Sequence, residues 1–351
     1  MSFMQNNLRP RGGWLPAGAI GRTTALSVVI PCYNEEAVLE EMIARLAPAC
    51  RDAVGEDYEI VLVNDGSSDR TWPIIAGMAA RTPQVIGVDL ARNHGHQLAL
   101  TAGLHVCSGE LVLVIDADLQ DPPELLPAMM AKVAEGYDVV FGRRVARHGE
   151  TFFKRATAAC FYRILEFLSD MPVPADAGDF RLMTRRVVDQ LNAMPERFRF
   201  IRGMVSWVGF AQVAIDYERD PRFAGQSSYP LRRMVRLALD AITSFSTKPL
   251  RLASHLAVVC GAGGLGVLGW VLWSWLQRGT VAGWTSTIAI VLIMGSLQLL
   301  ILGVFGEYLG RMYMETKQRP LFVVRDIAGR SPEIEPDLLQ AMLSHGAITP
   351  A

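Results

Sequence analysis

The sequence predicts an α/β protein, a mainly parallel sheet wrapped by helices, followed near the C-terminus by a two-helix membrane anchor. Three observations predict it. Short apolar runs alternate with helical patterns over roughly the first 140 residues. Acidic and polar clusters directly follow several of those runs. Two long uncharged stretches lie beyond residue 250.

The strands and helices follow in order. Leu26–Ile30 (LSVVI) predicts a strand and about 35–46 a helix. Tyr58–Val63 is a second strand, with a helix near 71–81. Val85–Leu90 is a third, with a helix from about His96 to Cys107. Leu111–Ile115 is a fourth, with a helix from about Pro123 to Glu135. Asp138–Phe141 is a fifth. Continuous apolar runs mark strands buried on both faces, and their alternation with helices implies a parallel sheet. Right-handed crossovers then put the strand C-terminal ends on one edge, where ligands bind. Polar residues collect there: Pro31–Glu35, Asn64–Asp69, Asp116–Asp121 and Gly142–Arg144.

The apolar stretches are about 252–276 and 285–307, each long enough to span a hydrocarbon core. Trp270, Trp273, Trp275 and Trp284 cluster around the connection between them, like an interfacial aromatic belt. That connection carries only Arg278. The outer flanks carry Arg232, Arg233, Arg236, Lys248 and Arg251 before, then Arg311, Lys317 and Arg319 after. The positive-inside rule puts both ends in the cytoplasm. Two amphipathic stretches, 151–168 and 229–245, mix Arg and Lys with Phe and Tyr and suit a membrane surface or domain packing. The expected organisation is a loose tail at 1–22, a cytoplasmic α/β domain at 23–228, an amphipathic juxtamembrane helix at 229–250, the two spans within 251–311, and a cytoplasmic tail at 312–351.

Composition excludes several classes. The chain has 351 residues, 50% hydrophobic and 20% charged, with net charge −1. Disorder needs low hydrophobicity and high net charge, and a nucleic-acid binder a basic excess; neither is present. Mean hydropathy of +0.22 fits the membrane stretches. The first residues lack an apolar signal-peptide region. The five cysteines form no CxxC and are expected as reduced thiols. Gly261–Gly266 matches G-x-G-x-x-G, but inside the first apolar stretch with no preceding strand, so it reads as helix packing. His94 and His96 resemble a metal pair, but no further Cys/His cluster is near in sequence, which argues against zinc.

The chemistry concentrates at the predicted sheet edge. Asp116 and Asp118, at i and i+2 past a strand, point the same way on extended backbone. Two such carboxylates suit Mg2+ or Mn2+, with substrate phosphates completing the shell. Asp65 is a turn residue or an acceptor for nucleotide hydrogens, and Glu35 a first-turn helix acid or a ligand contact. Arg143, Arg144, Lys154, Arg155, Arg181, Arg199, Arg202, Arg219 and Arg222 form a basic set, of which a subset facing the acidic edge would hold an anionic substrate. Asp179 is an isolated acid beside an apolar run, a base or a partner orienting an arginine.

Val29–Glu36, Val63–Asp69 and Asp116–Glu124 resemble the inverting GT-A glycosyltransferases of family 2. More closely, the chain resembles the polyprenyl-phosphate branch, which includes dolichol-phosphate mannose synthase and bactoprenol glucosyltransferases. Arg92–Gly103, Gly178–Leu182 and Gly306–Arg311 support the bacterial two-helix form. His94 departs from the pattern, which has an aromatic there. The resemblance implies Mg2+ or Mn2+ bound by Asp116, Asp118 and Gln120. It implies a nucleotide-sugar pocket from Pro31, Tyr33, Asn34, Glu35, Asp65, Asp116 and Arg144. It implies acceptor-phosphate contacts from Arg144, Arg155, Arg202 and Arg222, with Asp179, Asp118 and Arg202 catalytic. The implied reaction takes a sugar from a nucleotide-sugar, UDP-linked by default, to a polyprenyl phosphate, undecaprenyl by default, at the bacterial inner membrane. Membrane lipid and a homo-oligomer, up to a tetramer, are further expected partners. The competing classes are a processive polysaccharide synthase, which would need more spans and a Gln-x-x-Arg-Trp motif, a membrane-anchored nucleotide-binding regulator, and a small channel that would leave the acidic edge unused.

Overall fold

The computed structural model describes residues 24–144, 177–218, 246–277 and 284–329. Its described residues form two compact units, one of 24–144, 177–218 and 319–329, the other of 246–277 and 284–318. The stretches 151–168 and 229–245, together with Arg155 and Arg222, lie outside the described residues.

The first unit is built on one eight-stranded sheet. Its strands are β1 (Leu26–Cys32), β2 (Tyr58–Asn64), β3 (Val85–Leu90), β4 (Leu111–Val114), β5 (Val139–Arg144), β6 (Ala177–Thr184), β7 (Gln212–Tyr217) and β8 (Val324–Ala328). Their order is β7-β5-β6-β4-β1-β2-β3-β8. β4, β1, β2 and β3 are mutually parallel, as the apolar runs predict. Every residue of β1, β2 and β3 is buried, so both faces must be covered. The helices of this unit are α1 (Leu39–Val54), α2 (Thr71–Arg81), α3 (His96–Val106), α4 (Leu126–Ala134), α5 (Arg185–Ala193) and α6 (Ile201–Val208).

The sheet's two faces are packed differently. Leu39, Met42 and Leu46 of α1 join Leu26, Val28, Ile30, Ile60 and Leu62 in one core. On the opposite face α3 packs against β1 and β2. It approaches so closely that a Cβ on Gly103 would lie 2.3 Å from Val29 Cγ1, so only glycine fits there.

Several boundaries differ from the expectation. α1 starts at Leu39 because the Glu35 carbonyl accepts the Val38 and Leu39 N–H groups in a turn ahead of it. It then runs through Pro48 to Gly55, whose positive φ of 68° ends it. Gly142–Arg144 are not a tip after β5 but part of it, because β6 and β7 pair with it on both sides. Gly142 serves packing, since a Cβ would lie 2.7 Å from Phe180 and Tyr217. Residues 324–328, expected within a tail, form β8, antiparallel to β3 at the sheet edge.

The second unit contains α7 (Lys248–Leu276) and α8 (Trp284–Thr316), which pack on each other. Both are long and apolar enough to cross a membrane, and α8 runs past the expected end at 307. Val258, Leu265, Val291 and Leu299 each expose at least 63% of their surface. Such apolar surface needs lipid or protein over it, and the pair fits a membrane anchor. Gly261–Gly266 lie inside α7 rather than in a dinucleotide loop, and a Cβ on Gly261, Gly263, Gly264 or Gly266 would meet nothing within 4 Å.

Candidate active site

The topology converges on the C-terminal ends of β1, β2 and β4. β6 enters antiparallel between β4 and β5, in register Val114↔Arg181. Two residues further along each chain stand Asp116 and Asp179, so the antiparallel insertion brings an acid 63 residues away onto the Asp116 edge. The first helical residue after β3 and its loop is His96, which reaches the same point. The ligand atoms of His96, Asp116 and Asp179 all lie within 4.8 Å of one another.

Within this cluster Asp179 is held on several sides. Arg202 of α6 grips it with both arms of its guanidinium, Nε to Oδ1 at 2.8 Å and Nη2 to Oδ2 at 3.2 Å. His96 Nε2 lies 3.1 Å and Gln97 Nε2 3.4 Å from Oδ2. Gln97 also accepts the Ile201 N–H through Oε1, which fixes the start of α6 relative to α3. Burial works against the Asp179 carboxylate, but the His96 hydrogen bond and the Arg202 charge hold it well below the usual carboxylate range. Burial likewise disfavours a cationic His96, yet Asp179 and Asp116 together move it upward. Behind them Arg181 is buried, and burial lowers it to about 10 against the pull of Asp179.

Asp116 is in the opposite condition. Its Oδ1 is buried and accepts no hydrogen bond, with His96 Nε2 3.6 Å away. Burial first, and then the charges of Asp179, Asp121 and Asp118, push its carboxyl up to about 6 despite His96. A buried carboxylate oxygen that accepts no hydrogen bond and sits among other acids is a donor suited to a hard divalent cation, so the residues fit Mg2+ or Mn2+. Asp118 does not share the tight cluster. β4 ends at Val114, and Ala117–Asp118 form a turn in which Asp118 Oδ1 accepts the Gln120 N–H at 3.3 Å. The extended-strand rationale for the Asp116–Asp118 pair therefore does not hold. Leu119, at φ 60°, turns the chain instead.

The remaining predicted residues frame this centre. Arg144 Nε donates to the Tyr217 hydroxyl at 3.2 Å, and Tyr217 in turn donates to buried Asp121. Pro31 is buried on β1, while Tyr33 is 49% exposed beyond its end. Asn34, at φ 56°, donates its N–H to Ser67 Oγ and accepts the Ser68 N–H. Glu35 donates its N–H to Thr71 Oγ1. These bonds tie the loops after β1 and β2 together. Asp65 is buried, and its two oxygens accept the His94 and Gly95 N–H groups at 2.7 and 2.9 Å. Burial raises it, and those N–H groups pull it back. Asp65 thus braces the loop after β3.

Three participants were not singled out from sequence: His96 as part of the centre, Gln97 and Tyr217. The signal for His96 and Gln97 was positional, at the start of a helix just beyond a parallel strand's C-terminal end.

Residues 27–191 match Glycosyl transferase family 2. The chain is 47% identical over 88% of its length to the uncharacterized glycosyltransferase YkcC of Bacillus subtilis (strain 168), covering 96% of that protein. The chain belongs to glycosyltransferase family 2. It is 37% identical to the bactoprenol glucosyl transferase of Shigella phage SfV, over 86% of this chain and 98% of that one. To the prophage bactoprenol glucosyl transferase homolog of Escherichia coli (strain K12) it is 36% identical, over 86% and 99%. The eight-stranded, mostly parallel sheet with acids at its strand ends is the GT-A-like catalytic fold of this glycosyltransferase, and its two apolar helices fit the anchor.

Proposed function

We propose that this glycosyltransferase moves a sugar from a UDP-sugar to a polyprenyl phosphate, undecaprenyl phosphate in bacteria, with inversion at the anomeric carbon. The observation that carries this reading is the Asp116–Asp179–His96–Arg202 centre, in a chain that matches several proteins named bactoprenol glucosyl transferase over most of their length. The apolar helices support it, because a polyprenyl acceptor lies in a membrane. In this reading the catalytic domain faces the cytoplasm, where the outer flanks of both spans carry their Arg and Lys.

Asp116 would hold a divalent cation, joined by His96 or by Asp118 and Gln120. When bound, Mg2+ or Mn2+ supplies positive charge to the departing diphosphate. The residues of the chain do the rest. The Pro31–Glu35 and Asp65 loops seat the nucleotide. Arg144 and Arg202 offer guanidinium groups to phosphate oxygens, as would Arg155 and Arg222. The acceptor oxygen belongs to a phosphate already ionised near neutral pH, so it needs alignment more than deprotonation. Asp179, held as a carboxylate by Arg202 and His96, is a positioning residue that aims Arg202.

The test is transfer from radiolabelled UDP- and GDP-sugars to undecaprenyl phosphate in detergent, with Mn2+, with EDTA, and with Asp118→Ala. Glycolipid from one donor, lost with EDTA and in Asp118→Ala, is the expected result. Absence of any nucleotide binding refutes the transferase reading.

A further inference from the structure

A hydrogen-bond chain leads from the C-terminal strand to the loops assigned to the nucleotide. β8 follows α8 by seven residues and pairs with β3 through Leu90↔Val324 and Asp89↔Asp326. Arg325 is the extra residue between those pairs, a β-bulge. Bulges re-aim side chains, and this one sends the guanidinium across the sheet edge. Nη1 donates to Asp89 Oδ2 at 3.2 Å and Nη2 to the Ala91 carbonyl at 2.5 Å. Asp89 is 1% exposed, so its charge needs a partner. Its other oxygen accepts Asn64 Nδ2 at 2.6 Å, and Asn64 Oδ1 accepts the Ser67 N–H at 3.3 Å. Ser67 Oγ then accepts the Asn34 N–H. Asn64 immediately precedes Asp65, and Asn34 lies in the loop after β1.

The same segment grips the next loop. The Val323 carbonyl accepts the Ala91 N–H at 2.8 Å, and the Val323 N–H donates to His94 Nε2 at 3.4 Å. The His94 N–H holds Asp65. This gives His94 a polar task. The Ala91–Gly95 loop is thereby held between β8 and the Asp65–Gly66 turn. At Gly66 a Cβ would meet the Arg92 backbone at 2.4 Å, which leaves this stack no slack.

We propose that Arg325 is a positioning residue for the donor pocket, so that a segment beyond both apolar helices is an integral part of nucleotide binding. The inference rests on the reading of Asp65 and the β1 loop as that pocket. Arg325 touches no substrate. It neutralises Asp89, orients Asn64, and fixes the Ala91 carbonyl.

The experiment uses the full chain in detergent, with UDP and Mn2+ as the probe. Calorimetry gives the dissociation constant, and amide hydrogen exchange gives local order. Arg325→Ala is expected to weaken UDP binding about 5- to 20-fold and to speed exchange at 64–68 and 92–95 while leaving β1 and β4 protected. Arg325→Lys, which keeps the charge on Asp89 but not the second bond, is expected to fall between, and serves if the alanine variant does not fold. In the Asp89→Asn background, Arg325→Ala should add less than about 2-fold, because the buried charge it served is gone. Unchanged affinity and exchange in Arg325→Ala, or full additivity with Asp89→Asn, overturns the proposal. Asp65→Asn separates the two readings. If it binds UDP like the parent, the pocket reading fails, and exchange alone then decides the role of Arg325.

Discussion

Replacing Asp116 by asparagine should stabilise the metal-free protein while abolishing transfer. Asp116 rises from the ordinary value of 3.8 to about 6, with burial the leading cause. At about 1.4 kcal/mol per pH unit this amounts to roughly 3 kcal/mol. The sign follows from linkage. A folded-state carboxyl raised above its unfolded value costs stability in full above pH 6, and the cost disappears as the pH falls toward 4. The side chain keeps 26% of its surface accessible, so water relieves part of this, leaving about 1–2 kcal/mol. For a domain of this size that is a rise of about 3–6 °C in melting temperature. The assay is thermal unfolding in detergent with EDTA at pH 7.5 and at pH 5. Asp116→Asn should melt higher than the parent at pH 7.5, by a margin that shrinks at pH 5. Mn2+ should raise the parent's midpoint and leave the variant's nearly unmoved. A variant that melts lower than the parent, or a margin that ignores pH, would refute the electrostatic reasoning.

Asp179→Asn replaces an oxygen facing Arg202 with an N–H donor, and should lower kcat by about 100-fold while changing UDP affinity by less than about 3-fold, measured by steady-state transfer and calorimetry. Gly66→Ala, at φ 62° and against the Arg92 backbone, should displace the Asp65 turn and raise the donor KM at least 10-fold, with a melting temperature lower by several degrees. Glu59→Ala removes the buried acceptor of the Ser27 hydroxyl and the Ser108 N–H, both at 2.6 Å, and should cost about 2–4 kcal/mol by denaturant unfolding without touching the site.

The parallel half of the fold was legible because its strands are buried on both faces and spell continuous apolar runs, as in Ile60–Val63. The acids after β2 and β4 were legible for the same reason, since a polar tip after a buried strand has few structural uses. What escaped was set by pairing rather than by local pattern. β6 carries Arg181 and Asp179 into a buried strand, a choice local propensity disfavours, and only the neighbours β4 and β5 make it one. β8 reads Val-Arg-Asp-Ile-Ala, a polar edge sequence with no apolar run to announce it. His96 and Arg325 become functional candidates only once β3 has placed one at its end and the other along its side.

The contrast between the two central acids bears on the kind of acceptor the site can serve. A general base works best with a pKa near the operating pH. Asp179 is the acid that a base mechanism would recruit, yet Arg202 and His96 hold it far below that range, which makes it a poor proton acceptor. Asp116 does lie near 6, but its buried Oδ1 sits among acids, where a cation is the natural partner and would itself suppress proton uptake. Of these two acids, then, neither is poised to deprotonate an alcohol. An acceptor that arrives already ionised removes that requirement, and a phosphate monoester, with a second pKa near 6, does so at neutral pH. On the proposed reading Arg202 would face two anions, Asp179 and the incoming phosphate, and its bidentate grip on the first would fix the direction in which it meets the second. On the proposed reading, the downward shift of Asp179 fits an acceptor that needs no deprotonation, a lipid phosphate rather than a sugar hydroxyl.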